Sequence, residues 1–376
     1  MDCLRIENSV SITGDHGAVV PCCNLDIGVD DKWIQYSTIQ NFENLNQPLK
    51  SFLWFDLKEQ LSKDWPDPCS SCKKREELNL KSLRTYAYGD IGKVDKESLS
   101  LLELSLDFSC NMMCRTCRPG ISSRWTHATK LNDNLKLIDK EHYSNMSNQN
   151  FSARIKTLLY NTNFEHLKKI HLVGGEPFIS PNIQWFFDLL NDKCDLSRIE
   201  FIVHTNGSIF PNSKIRNVLS KFKDIQINIS IDAIGDLAEV IRFGVPWKKI
   251  DKVIRKWIDF TQPIYFAPVI SLMNINKLQD LIEYKNSLPG SIIMKVGHLT
   301  WPSFLCSNQI PLEVRKKWEI NIQDDDVDYF NNYILDNEVS ENKFPDFIRS
   351  MKLMDEYQNI TFSEANSELW DIVCGT

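Results

Sequence analysis

The sequence has no long hydrophobic run, no basic excess, no internal repeat and no low-complexity segment. With no uncharged apolar stretch of about 18 residues, a membrane helix is not expected, and Met1-Asp2-Cys3-Leu4-Arg5-Ile6-Glu7 lacks the apolar core of a signal peptide. The expected location is the cytoplasm, away from membranes. Lys and Arg number 43 against 50 Asp and Glu, a net charge of −7. A nucleic-acid partner would show as a basic stripe, so none is expected. The chain also lacks the cysteine density of a disulfide scaffold: 11 cysteines in 376 residues fall well below the roughly 8% typical of such chains. In a reducing compartment, clustered cysteines point instead to metal ligands or redox groups.

The cysteines that are present fall into groups. Cys3, Cys22, Cys23, Cys69 and Cys72 lie in an aromatic, turn-rich first stretch, and Cys110, Cys114 and Cys117 form a tight triplet. Cys194, Cys306 and Cys374 are scattered and read as buried small hydrophobes or inert thiols. From Leu101 onward, six apolar runs alternate with amphipathic segments. The runs are Leu101 to Phe108, Ile170 to Val173, Ile199 to Val203, Ile225 to Ile231, Ile264 to Ile270 and Ser291 to Val296. Helices are expected over Asn182 to Leu190, Ser213 to Phe222, Trp247 to Phe260 and Ile275 to Leu288, where apolar residues recur at three and four. Such alternation implies an α/β fold of parallel strands joined by crossovers, either an open sheet or an incomplete barrel. In both, chemistry collects at the carboxyl ends of the strands. Residues 1–95 break the alternation and read as a small separate domain, 98–300 as the strand–helix body, and 301–376 as a helical extension in which Asp324-Asp325-Asp326 is a solvated loop or cap.

Cys110-Asn111-Met112-Met113-Cys114-Arg115-Thr116-Cys117 follows the first expected strand with the spacing C-x3-C-x2-C. Four thiolates fill a [4Fe–4S] cluster, whereas three leave one iron open to a substrate. A zinc loop borrowing a distant ligand and a set of structural cysteines are the competing readings. Gly174-Gly175-Glu176-Pro177 ends the second expected strand, with glycines that admit close backbone approach and a carboxylate that can accept from an ammonium group.

In that order, on consecutive strand ends, these residues resemble the radical S-adenosylmethionine superfamily. The resemblance implies a partial (β/α)6 TIM-like barrel in which Cys110, Cys114 and Cys117 hold a [4Fe–4S] cluster. It further implies that the open iron chelates the amino and carboxylate groups of S-adenosylmethionine. An electron from the cluster would then release methionine and a 5′-deoxyadenosyl radical that abstracts a substrate hydrogen. Gly174, Gly175, Glu176 and Pro177 would border that cofactor; Thr205, Asn206, Ser230 and Asp232 match polar contacts to its methionine and ribose, and Arg242 an ion pair with its carboxylate. Read without the resemblance, Asn206-Gly207 is a turn, Asp232 a helix cap and Arg242 a surface residue. Thr116 stands where many members carry an aromatic near adenine.

Cys3, Cys22, Cys69 and Cys72 supply four thiolates, enough for a second [4Fe–4S] cluster or a structural zinc ion. Beside a radical body they resemble the auxiliary-cluster extensions called SPASM and, in their one-cluster form, twitch. That extension ordinarily follows the barrel and here precedes it; Cys23 is left over and can replace Cys22. The implied partners are S-adenosylmethionine, a reductant such as flavodoxin or ferredoxin, and a substrate. The leading expectation is oxidative modification of a peptide or protein side chain. The alternative is dehydrogenation or epimerisation of a small metabolite such as a sugar or alcohol, which calls for a base at the barrel mouth, where His204 and His298 stand near strand ends. A non-catalytic zinc-binding interaction protein is the competitor from another class.

Overall fold

Short runs of branched and aromatic residues favour extended backbone when both faces are covered, and in the computed structural model of the chain each of the six apolar runs forms a strand. Every residue is described except 15–16, 29–31, 78, 80, 86–94, 138–146, 321–326, 328–329, 332–342 and 376. The Asp324-Asp325-Asp326 run lies outside the described residues. Among them are strands β1 (Ser9–Thr13), β2 (Ala18–Val20), β3 (Leu101–Ser105), β4 (Met113–Cys114), β5 (Lys169–Val173), β6 (Glu200–Thr205), β7 (Asp224–Ile229), β8 (Arg242–Phe243), β9 (Ile264–Phe266), β10 (Val269–Ile270), β11 (Ile292–Met294) and β12 (Gly297–His298).

Eight of these make one sheet in the order β11-β9-β7-β6-β5-β3-β1-β2. The six expected strands follow chain order across it, a single winding without the reversal that marks a doubly wound sheet. β3 pairs in parallel with both β5 and β1, and β2 runs antiparallel to β1. The intervening helices follow the apolar periodicity. In Trp247–Phe260, Ile250, Val253, Ile254, Trp257 and Ile258 are buried while Lys248, Lys249, Lys252, Arg255 and Lys256 face solvent.

The chain divides into two compact units. The first compact unit comprises 1–109, 143–204 and 211–226, and the second comprises 110–142, 205–210 and 227–376. Ser9–Thr13 hydrogen-bonds to Leu101–Ser105, so the first stretch of chain extends the sheet rather than standing apart from it. The last stretch likewise packs within the second unit, through the helix Phe344–Gln358. Among the described residues, no helix is long and apolar enough to cross a membrane.

Candidate functional site

The cysteine loop begins directly after the first unit's segment that ends at Ser109. Within that unit, Glu176 donates its backbone N–H to Ser109 O at 2.7 Å, and a Cβ on Gly175 would sit 2.3 Å from the same oxygen. Only glycine admits that approach, which explains this member of the Gly-Gly pair. Glu176 is fully buried, and its Oε1 accepts from Phe178 N at 3.1 Å, capping the turn Pro177–Ile179.

In the second unit, β4 and β8 form a two-residue antiparallel ribbon that sets Cys114 opposite Arg242. The Arg242 guanidinium lies 3.9 Å from Cys114 Sγ and 2.8 Å from Asp232 Oδ2. Burial would lower its pKa, but Asp232 and Cys114 outweigh that and raise it. Arg242 is therefore interior and already paired, and Asp232, which also accepts from Val269 N at 2.9 Å, holds this arginine in place of a helix end. Gly244, just beyond the ribbon, has φ +125° and packs so close to Asn111 O that a Cβ would meet it at 2.7 Å.

Asn206 Nδ2 donates to Asn111 Oδ1 at 2.9 Å and stands 4.0 Å from Cys110 Sγ, while Asn206 Oδ1 accepts from Ser208 N. Asn111 Nδ2 completes the set by donating to Ser208 Oγ at 2.9 Å. Thr205 Oγ1 accepts from Gly207 N, and Ser230 N donates to Thr205 O. Asn206 and Arg242 thus reach two of the three sulfurs, whereas Thr205 supports the turn that carries Asn206. The thiols of Cys114 and Cys117 are pushed up, Cys117 to about 11, by burial and then by the neighbouring cysteines. Binding a metal here releases the protons those thiols hold.

Sequence patterns did not disclose Arg115. Its side chain is fully buried, with Nη2 2.6 Å from Asp355 Oδ1 and Nε donating to Gln358 Oε1 at 3.1 Å. Gln358 in turn donates to Met113 O. The helix Phe344–Gln358 therefore grips the loop between its second and third cysteines.

The amino-terminal thiols converge in the first unit. Cys3, Cys22, Cys69 and Cys72 line one cavity together with Arg5, Ile6, Pro21, Leu25, Leu57 and Trp65. Burial and then the neighbouring thiols push Cys22 upward and raise Cys69 to about 12. Cys3 is raised as well, chiefly by burial. Among the described residues, no three His, Cys, Asp or Glu side chains close on a point as a single ion requires. The four thiols stand around a space instead. Arg5, which lines the same cavity, is only 6% exposed, and its Nε and Nη1 are buried without a hydrogen-bond partner.

A polar row crosses β1, β3 and β5 where Ser11, Glu103 and His171 stand in register. Ser11 Oγ donates to Glu103 Oε1 at 2.9 Å, and His171 Nδ1 lies 2.8 Å from Oε2. Burial would raise the Glu103 pKa, but the charge and hydrogen bond of His171, helped by Arg5 and Cys23, hold it down at about 2. The His171 ring lies 4.9 Å from that of His204, tilted by 46°, and its Nε2 is buried without a partner. His298 lies on β12, paired with Ile270. The signal for His171 was a polar residue inside an otherwise apolar run.

No protein-family model matches the chain. Over 196 residues, 50% of this chain, it is 24% identical to a GTP 3′,8-cyclase of Sulfurovum sp. (strain NBC37-1), and the match covers 51% of that protein. The chain thus spans about half the length of the curated relative it matches. Among solved structures it is similar to native anSMEcpe with bound AdoMet, at 16% identity and a TM-score of 0.37 over 69% of this chain and 60% of that one. It is also similar to Streptococcus suis SuiB, at 14% identity and a TM-score of 0.36 over 71% and 59%.

Proposed function

We propose that this chain is a radical S-adenosylmethionine enzyme in which Cys110, Cys114 and Cys117 hold a catalytic [4Fe–4S] cluster and Cys3, Cys22, Cys69 and Cys72 an auxiliary one. The observation that carries the reading is the gathering of four thiols from three separate stretches around one cavity beside an unsatisfied arginine, in a chain that also bears the three-cysteine loop. Thiolate clusters are anionic, so the donor set and Arg5 fit such a group in kind. A single zinc ion needs its sulfurs drawn to one point at about 2.3 Å, and thiols ranged about a cavity suit a larger group better. Similarity to a protein named as a cyclase supports an enzyme, and the single winding of the strands supports a partial barrel.

When bound, the catalytic cluster supplies the single electron that cleaves S-adenosylmethionine. The chain's own residues orient and shield. Asn206, Ser230 and the Gly174–Pro177 turn are the proposed cofactor contacts; Arg242 keeps a cation beside Cys114, and Asp232 fixes it there. A small electron carrier of the flavodoxin or ferredoxin kind would reduce the site.

The substrate reading placed first is a peptide or protein side chain, following the resemblance to twitch-bearing enzymes. One observation favours the second, dehydrogenation or epimerisation of a small alcohol or sugar: the Glu103–His171 pair, with an unpartnered ring nitrogen, has the make-up of a proton acceptor.

Anaerobic reconstitution tests the proposal. About eight irons per chain are expected from two four-iron clusters, falling to about four in Cys69→Ala/Cys72→Ala. Reduced protein given S-adenosylmethionine should release 5′-deoxyadenosine, and Cys114→Ala should not. Zinc in place of iron, with no visible absorbance, would support the interaction-protein reading instead.

A further inference from the structure

Two cations line the amino-terminal cavity, and they are in different electrostatic states. Arg84 is committed: its Nε donates to Glu76 Oε1 at 2.9 Å, its Nη2 pairs with Glu76 Oε2, and its Nη1 donates to Asp2 O. Arg5 has no such partner for Nε and Nη1, although it is buried on the helix Leu4–Asn8 immediately after Cys3. Leaving guanidinium N–H groups buried and unbonded is strongly unfavourable unless something answers them. The groups that face Arg5 are the cavity thiols, Cys23 and, on β3, the Glu103 carboxylate. Glu103 already accepts from Ser11 and engages His171 with its two oxygens. Arg5 lines the cavity together with the four thiols, so an anionic thiolate-bound group there would answer its unpaired N–H groups.

We propose that Arg5 is the positioning residue of the amino-terminal cluster site, compensating the charge of the thiolate-bound group and setting its reduction potential. The inference rests on the reading of that cavity as a cluster site. Reduction adds one negative charge within reach of the guanidinium. A fixed cation stabilises the reduced form more than the oxidised one, and N–H donors toward sulfur act in the same direction. Arg5 thus makes the site a better electron acceptor, which is the property required of a group that takes the electron from a substrate radical left by hydrogen abstraction. Arg84, neutralised by Glu76, lacks that influence.

The experiment uses the full chain carrying Cys110→Ala/Cys114→Ala/Cys117→Ala, so that only the amino-terminal group contributes. Iron and sulfide are measured first, then an EPR-monitored redox titration compares Arg5, Arg5→Lys, Arg5→Met and Arg5→Gln in that background. The expected result is about four irons with Arg5 present, a midpoint shifted to more negative potential in the Met and Gln variants, and recovery of most of the shift in Lys. Loading kept in Lys but lost in both neutral variants supports the same assignment through binding. Equal iron and an unchanged midpoint in Met or Gln overturns it, as does a Lys variant that behaves like Met. If the parent itself takes up no iron, the cluster reading of the cavity fails, an outcome distinct from failure of the Arg5 assignment alone.

Discussion

At the scale of single residues, Arg115 is a fully buried charge held by partners far along the chain. Its charge is fully interior and answered by Asp355, Gln358 and the Met351 sulfur. Burial presses its pKa down while Asp355 opposes that shift. Removing one member of such a pair typically costs about 3–5 kcal/mol, whereas replacing both by apolar residues of similar size is often near neutral. Asp355→Ala should therefore lower the urea midpoint strongly, and Arg115→Met/Asp355→Leu should recover most of the loss. Glu103 makes a second prediction. Its folded pKa near 2 lies below the ordinary 4.5, so folding favours its carboxylate form. That contribution is complete above pH 4.5 and is lost as pH falls toward 2. The urea midpoint of the wild type should drop more steeply across that window than that of Glu103→Gln; parallel curves would remove Glu103 from the acid sensitivity.

At the scale of elements, the two-residue ribbon of β4 and β8 brings Arg242 to Cys114, and Gly244 lets it close. In Gly244→Ala the new Cβ meets Asn111 O at 2.7 Å on a backbone with φ +125°, a cost of about 1–3 kcal/mol. The variant should lose roughly half its iron, the share of one of the two proposed four-iron clusters. Gly235→Ala is the control, since φ is +58° with nothing within 4 Å. It should lose about 1 kcal/mol and no iron. The strands and helices that build the body were legible because each buries an apolar run or stripe, as Trp247–Phe260 does to the residue. Ser9–Thr13 was not, because Ser-Val-Ser-Ile-Thr alternates like a half-exposed strand, yet Ser9 and Ser11 are as buried as Val10 and Ile12. The cysteine triplet and the four-thiol set were visible as spacing. Arg242 was expected to meet a cofactor carboxylate; in the fold its guanidinium pairs with Asp232, ten residues back across the helix Gly235–Ile241, a pairing that leaves no periodic trace. Arg115 and Asp355 lie 240 residues apart, beyond any local pattern.

At the scale of the whole molecule, the extension after residue 300 is part of the second unit's interior. Phe347, Met351 and Met354 are fully buried along the helix that holds Arg115. A chain ending at Lys343 should become sensitive to trypsin around Arg115 and Arg118 and hold no more than about four irons, as seen by mass spectrometry of the fragments and by metal analysis. Full-length protection in the truncated chain would contradict that role.

The parallel pairing of Ser9–Thr13 with Leu101–Ser105 also bears on modularity. Every residue of β3 is buried. A body expressed from residue 98 alone would bare the backbone edge of a buried strand, the kind of surface that templates aggregation. The amino-terminal segment therefore acts as an edge guard for the sheet as well as a carrier of thiols, so its loss should be felt as insolubility before it is felt as missing iron.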